Sequence, residues 1–415
     1  MQTIVRQTGI APDTLRAWER RYGFPEPARS VGGHRLYSMR EVEAIRWVLQ
    51  KQKEGLRAKQ AIDLWKRETQ NAQMSLPSFA PAASAGEAVA ALRDEWVRAC
   101  LALADDRATQ TFHHANALLG PEDALLHVVT AGLSHVGEQW ATGAASVAQE
   151  HFASAVAMRQ AQSLLNGEPR ATRHEQLLIS CPDGEIHVYP SVVLTYLLRR
   201  RGWPVLFLNA SLPLADLLHT VARERPALVI ACVQTVLATG ALLAEAAAMR
   251  QAAIPFAFGG SVFVRYPALV ARIPGVYLGT QLAEAPEMVQ RILVGQVEMQ
   301  TPIPLEREWL ELNHILPDVL LRAQAAVGGE LEKIGMPRAD AETELALIGG
   351  YLSNVVRLGA AEMLPNVWSW SERMLRAREL SVTVQQRFHD AVRRHLRAAL
   401  AKHAHGLLSA VVGAA

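Results

Sequence analysis

The sequence is short of the features that mark secreted, membrane-spanning or zinc-clustered proteins. It holds only three cysteines, Cys100, Cys181 and Cys232, widely spaced and in no CxxC pair. That spacing excludes a disulfide framework and a structural zinc site, and it points to a reducing, cytoplasmic setting. The start, Met-Gln-Thr-Ile-Val-Arg, lacks an apolar signal core, and no run of about 18 apolar residues occurs, which argues against secretion and against a membrane partner. Internal repeats are absent too. Net charge is nearly absent, with 42 Lys and Arg against 40 Asp and Glu. On its face this argues against nucleic acid, whose binders usually carry a basic excess.

The neutral total hides an asymmetry. Residues 1–70 hold 14 basic against 8 acidic side chains, an excess of six, which leaves 28 against 32 on the rest of the chain. A basic head on a slightly acidic body is the pattern of a nucleic-acid-reading module. What the chain has in quantity is apolar surface: half of its 415 residues are hydrophobic, enough for two to four domains of about 100–200 residues each.

Patterning divides the chain into segments. Residues 1–69 read as short amphipathic helices and a glycine turn, followed by an aperiodic Ala-, Ser- and Pro-rich tether at 70–86. Residues 87–168 carry apolar positions at helical spacing (Val89, Leu92, Trp96, Leu101, then Leu125, Val128, Val129, Leu133), which predicts a bundle of about four helices. Over 172–299, five short apolar runs (Gln176–Cys181, Pro204–Leu208, Ala227–Val233, Pro255–Phe258, Val276–Leu278) alternate with amphipathic helices. That alternation predicts a doubly wound parallel sheet. Residues 302–415 return to helix, with long stretches near Glu306–Gly328, Ala339–Leu364 and Leu380–Val412. The expected fold class is thus multidomain α and α/β.

In the head, Ile4–Arg21 reads as a short helix, a turn at Thr8-Gly9-Ile10, and a second helix starting near Pro12-Asp13, the spacing of a helix-turn-helix. The second helix offers Thr14, Arg16, Arg20 and Arg21 to a major groove. The stretch Ser30–Tyr37 (SVGGHRLY) is a glycine turn between extended arms, suited to a wing whose tips, His34, Arg35 and Tyr37, reach the backbone of a DNA duplex. Trp18 and Trp47 read as core. The ordered string TLRAWERRYG followed by GGHRLYS resembles the winged-helix DNA-binding domain of the MerR family. The resemblance implies double-stranded operator DNA as partner, with Arg16, Tyr22, Arg35 and Tyr37 on phosphates. No heptad helix follows, so assembly into a dimer or tetramer must come from elsewhere.

A second motif spans two domains. The bundle carries Trp140 and then Glu150-His151 (WATGAASVAQEH), and the loop after the first strand carries Asp183-Gly184-Glu185-Ile186-His187. Chemically, a histidine at the carboxyl edge of a parallel sheet can present an imidazole nitrogen to a large cofactor, and a carboxylate two residues earlier can fix its tautomer. Together these residues resemble the CarH/LitR group of MerR-type regulators, which hold adenosylcobalamin between a helical bundle and a Rossmann-like domain and use it to sense light. The resemblance implies His187 as the lower axial ligand of cobalt, supported by Glu185. It implies a pocket lined by Trp140, Val147 and Glu150, and His151 as the upper axial ligand after illumination. Gln234, Thr235, Gly259, Gly260 and Gly279 would line the cleft for the nucleotide tail. Two positions depart from the pattern: Pro190 stands where the group usually has Gly, and the loop Gln234-Thr235-Val236-Leu237 lacks a common Ser.

The expected function is a transcription regulator, a repressor that assembles in the dark and leaves DNA after illumination. The alternative is a MerR-type regulator whose degenerate cobalamin fold senses another ligand or assembles through the C-terminal helices. An enzyme is disfavoured, because no remaining stretch has the length and strand content of a partner barrel. The last segment, with His314, Trp368, Trp370, His389, His395, His403 and His405, reads as an oligomerisation or partner-binding domain, with a second ligand pocket as the sharper reading.

Overall fold

The computed structural model describes residues 10–25, 28–29, 35–36, 45, 48–49, 51–52, 57–62, 85–167, 170–378 and 380–400. The chain forms two compact units, Met1–Ser84 and Ala85–Ala415.

In the first unit, helix α1 (Pro12–Tyr22) opens on proline, where a missing N–H is no loss, and ends at Gly23, whose left-handed backbone lets its N–H donate to the Glu19 carbonyl. Leu15 and Trp18 turn inward and form a small core with Ile10, Phe24, Ile45, Val48, Ala61 and Ile62. Strands β1 (Ala28–Arg29) and β2 (Arg35–Leu36) pair antiparallel, Ala28 opposite Leu36 and Arg29 opposite Arg35.

The second unit begins with four helices. They are α2 (Ala85–Leu101), α3 (Asp105–Leu119), α4 and α5 (Val147–Asn166). α4 runs from Pro121–Asp123 through a π-helical segment, Ala124–Thr130, into Ala131–Thr142. Trp96 anchors this bundle: its indole N–H donates to Gln160 Oε1 at 3.1 Å, and a Cβ on Gly132 would lie 2.7 Å from its ring. Only glycine lets α4 come this close.

Five parallel strands follow, each trailed by helical structure. The strands are β3 (Leu177–Ser180), β4 (Val205–Phe207), β5 (Leu228–Cys232), β6 (Phe256–Gly259) and β7 (Val276–Tyr277). Their helices are α6 (Tyr189–Arg200), α7 (Leu214–Glu224), α8 (Thr239–Gln251), α9 (Ser261–Arg265) and α10 (Ala285–Leu293). The sheet order is β4-β3-β5-β6-β7, a doubly wound arrangement whose switch point lies between β3 and β5. Side chains alternate between two cores. Leu177, Ile179, Leu228 and Ile230 face one layer, with Leu194, Leu198, Val289 and Ile292 of α6 and α10. Leu178, Val229, Ala231, Phe256 and Phe258 face the other. Covered on both faces, the strands are the near-continuous apolar runs visible in the sequence.

The C-terminal helices are α11 (Arg307–Gly328), α12 (Leu331–Ile334), α13 (Arg338–Leu358), α14 (Leu364–Ala377) and α15 (Val382–Leu400). Their Trp309, Leu312, Val355 and Val356 share one core with the second face of the sheet. One sequence expectation is corrected here. The helix expected to continue to Leu364 stops at Leu358, because Gly359 adopts φ 62° and caps it. A separate helix, α14, then starts with Pro365 in its first turn. His403 and His405 lie outside the described residues.

Candidate cofactor site

The site is built around the loop 181–188 between β3 and α6. Glu185 N–H donates to the Pro182 carbonyl at 2.9 Å, and Ser211 N–H donates to the Glu185 carbonyl at 3.0 Å. Ser211 also accepts from Gly184 N–H at 3.1 Å and donates through its hydroxyl to Asp183 at 2.9 Å. The loop is therefore fixed before any ligand arrives.

Glu185 is fully buried, and its two oxygens face different partners. Oε1 lies 2.7 Å from His187 Nδ1 and accepts from the His187 N–H at 2.9 Å. Oε2 accepts from the backbone N–H groups of Gln234, at 2.7 Å, and Thr235, at 3.0 Å. One carboxylate thus bridges the loops after β3 and β5, the two strands that flank the switch point. Burial pushes the Glu185 carboxyl up, but the hydrogen bonds from His187 and Gln234 outweigh it and hold the group below the usual carboxylate range. The same hydrogen bond raises His187, against the effect of burial, and the negative charge of Glu150 adds to the rise. The imidazole is 55% exposed. With Nδ1 committed to Glu185, Nε2 is the ring nitrogen left to meet a ligand.

The bundle carries the second group of expected site residues. Trp140, half-buried near the end of α4, Val147, the exposed first residue of α5, and Glu150 and His151 one turn on all gather at the α4–α5 turn. Ser146 caps α5 reciprocally with Gln149 and fixes where that turn begins. His151 repeats the pattern of His187: its Nδ1 lies 2.7 Å from Glu150 Oε2, and the side chain is 75% exposed. Ser154 donates to the other Glu150 oxygen at 2.8 Å. Thr130, at the end of the π-helical segment, meets the hydroxyl of buried Tyr189 at 2.9 Å and ties the bundle to α6 two residues beyond His187.

The remaining expected cleft residues differ among themselves. Gly260 has φ 133°, and a Cβ there would collide with the Val233 carbonyl oxygen at 1.8 Å, so only glycine fits. Gly279 has φ 100° and open space where a Cβ would stand. Gly259 faces no such demand, since a Cβ would meet Leu278 at an ordinary 3.7 Å. Gln234 accepts from Ser261 N–H at 2.9 Å, while its side-chain nitrogen is buried with no partner among the described residues. Pro190 occupies the first turn of α6, where its missing N–H leaves no hydrogen bond broken.

On the head, Thr14, Arg16 and Arg20 are exposed on α1, with Arg16 3.4 Å from Asp13, and Tyr22 is half-buried against the small core. Trp18 is core. Arg35 lies in β2 as backbone, and His34, Tyr37 and Trp47 lie outside the described residues. Three contributors escaped sequence reasoning: Ser211, Thr130 and Tyr189. Their partners stand 26 or more residues away, and no local pattern links them.

Residues 1–68 match the MerR HTH family regulatory protein, and residues 92–165 match the B12 binding domain. The HTH-type transcriptional repressor CarA of Myxococcus xanthus is 35% identical over 228 residues, 54% of this chain and 73% of that protein. The chain belongs to the CarA/CarH family of MerR-type regulators. The repressor CarH of the same organism is 28% identical over 218 residues, 52% of this chain and 73% of its own length. A CarA/CarH-type chain joins a DNA-binding head to a B12-binding domain, and it is a regulator rather than an enzyme. Among solved structures, a monomethylamine corrinoid protein of Methanosarcina barkeri is similar at 14% identity and a TM-score of 0.43, over 49% of this chain and 98% of that one. No helix among the described residues is long and apolar enough to cross a membrane.

Proposed function

We propose that the chain is a cytoplasmic, light-responsive repressor that holds adenosylcobalamin between the α4–α5 turn and the β3 loop. When bound, this cofactor supplies a cobalt–carbon bond that visible light can break. The observation that carries the reading is the pairing of two carboxylate–histidine dyads: Glu185 with His187 on the sheet edge, and Glu150 with His151 on the bundle. Each carboxylate occupies Nδ1 and leaves Nε2 to act as a donor, the arrangement that orients and strengthens a metal-ligating imidazole. His187 would hold the cobalt in darkness, and His151 would take it after illumination. Domain limits follow the expectation above, with 87–168 capping the cofactor and 172–299 holding it.

Four further features support a corrinoid at this place. Ile186 is 71% exposed beside His187, and Val147 is 39% exposed at the α5 start, so apolar side chains stand at a polar loop edge without a cover. The buried Gln234 nitrogen waits for an acceptor. Open space at Gly279 suits a bulky tail. Trp140, half-buried near the end of α4, would cover the cofactor from the bundle side.

A single head with a small basic excess neutralises few phosphates, so strong operator binding calls for several heads joined in a dimer or tetramer. Control of assembly is then control of transcription. The test is to load the full-length protein with adenosylcobalamin in darkness and record absorption and size-exclusion profiles before and after green light. Binding, a photolysis spectrum and a change in assembly are expected. Failure to bind would favour a cobalamin fold that serves another ligand.

A further inference from the structure

The C-terminal helices pack against the loop beside the candidate site, and one of their side chains bonds to it. Asn354, on α13, is 7% exposed, and its amide nitrogen donates to the Leu237 carbonyl at 2.7 Å. Leu237 sits in the 3-10 turn Val236–Ala238, directly after Gln234 and Thr235. Those two residues present the N–H groups that hold Glu185 Oε2, and Glu185 holds His187. From α13 to the imidazole the path is thus one hydrogen bond, a turn of three residues, and a carboxylate bridge.

The approach of α13 to this turn is built in. A Cβ on Gly240, in the first turn of α8, would stand 2.1 Å from Asn354 Oδ1, and one on Gly350 of α13 would stand 3.4 Å from Leu237 Cδ2. Glycine at 240 lets the helices close until the amide reaches the carbonyl, while at Gly350 a Cβ would meet the flexible Leu237 side chain at ordinary contact distance. A purely supporting helix needs only apolar contact here, and α13 has that in Ile348, Leu352 and Val355, all in the shared core. A buried amide adds direction, because its hydrogen bond exists in one geometry and the carbonyl it satisfies is costly to leave unpaired.

We infer that the C-terminal helical domain sets the axial histidine, and that Asn354 is a positioning residue acting through the 234–238 loop and Glu185. This rests on the assignment of His187 as a cobalt ligand. It gives the C-terminal segment a role inside the sensor.

Two measurements on the full chain test it, comparing wild type with Asn354→Ala and with Gly240→Ala, whose added methyl displaces the Asn354 amide from outside. In the cofactor-free protein, hydrogen exchange of the segment 233–238 is expected to speed at least tenfold in both variants, while β6 and α11 keep wild-type protection. With bound, reduced hydroxocobalamin in protein carrying 15N-histidine, electron paramagnetic resonance is expected to show less imidazole-coordinated cobalt in the variants. Unchanged exchange and an unchanged histidine signature in both folded variants would overturn the inference. If wild type itself shows no imidazole on cobalt, the cofactor reading fails, and the exchange data still decide whether Asn354 holds the loop. A single variant that fails to fold leaves the decision to the other.

Discussion

Glu185 Oε1 lies 2.7 Å from His187 Nδ1, and the same carboxylate accepts two backbone N–H groups from the loop across the switch point. Two residues apart in sequence, they form the joint between two strands of the sheet. The imidazole is exposed and the carboxylate is fully buried. The histidine can therefore face a ligand while its orientation is set from within the protein.

Glu185→Gln is expected to weaken cobalamin binding about 10- to 100-fold, the usual effect of removing a carboxylate behind a metal-bound histidine. Equilibrium titration with hydroxocobalamin, followed by absorption, measures it. Affinity within twofold of wild type would separate Glu185 from ligation.

The Glu185–His187 pair was legible in the sequence because a loop of adjacent residues carries it. The five strands were legible for a similar reason: runs such as Leu228–Cys232 are apolar on both faces and bounded by turns. Glu150 and His151 likewise sit together on one helical turn. The amides of Gln234 and Thr235, the Thr130–Tyr189 contact and the Asn354–Leu237 bond were not legible. Their partners stand 49 to 117 residues apart, and only the packed chain brings them together. α14 escaped because the apolar pattern runs on past Gly359, and the left-handed cap that breaks it is a backbone property.

Glu245, on α8, is buried with both carboxylate oxygens unpartnered among the described residues. Burial, with help from the negative charge of Asp183, pushes its carboxyl up to about 8. The folded state therefore keeps a proton that the unfolded chain releases above its ordinary value. The resulting stability is fully present in acid and is lost as pH rises towards 8. Glu245→Gln is expected to be more stable than wild type at pH 8 by about 1–3 kcal/mol. Denaturant unfolding at pH 5 and pH 8 checks this, and a gap that does not widen with pH would contradict it.

His389 shows the opposite dependence. Burial, with help from Arg393, lowers its imidazole to about 4, and Ser371 lies 2.8 Å from its Nε2. The fold holds it neutral while the unfolded chain protonates it below about 6.5. Stability is therefore lost as pH falls from there towards 4, by about 2–3 kcal/mol for this group alone. Thermal melts of wild type and His389→Asn between pH 7 and pH 4.5 should converge as pH falls. Parallel curves would show that His389 does not titrate with unfolding.

On the head, Arg16 is exposed on α1. Arg16→Ala is expected to weaken binding to every duplex by a similar factor and to lower the slope of log K against log salt by about 0.9 per head, the release expected for one phosphate contact. Anisotropy titrations at several salt concentrations give the slope. A loss confined to one base position would instead assign Arg16 to base reading.

Light control is the central claim, and DNA affinity of the loaded protein in darkness and after green light tests it most directly. A duplex selected from a random pool against the dark, adenosylcobalamin-loaded protein serves as ligand, at one fixed salt concentration. The account predicts at least tenfold weaker binding once the absorption spectrum reports photolysis. Equal affinity in both states, with photolysis complete, would contradict it.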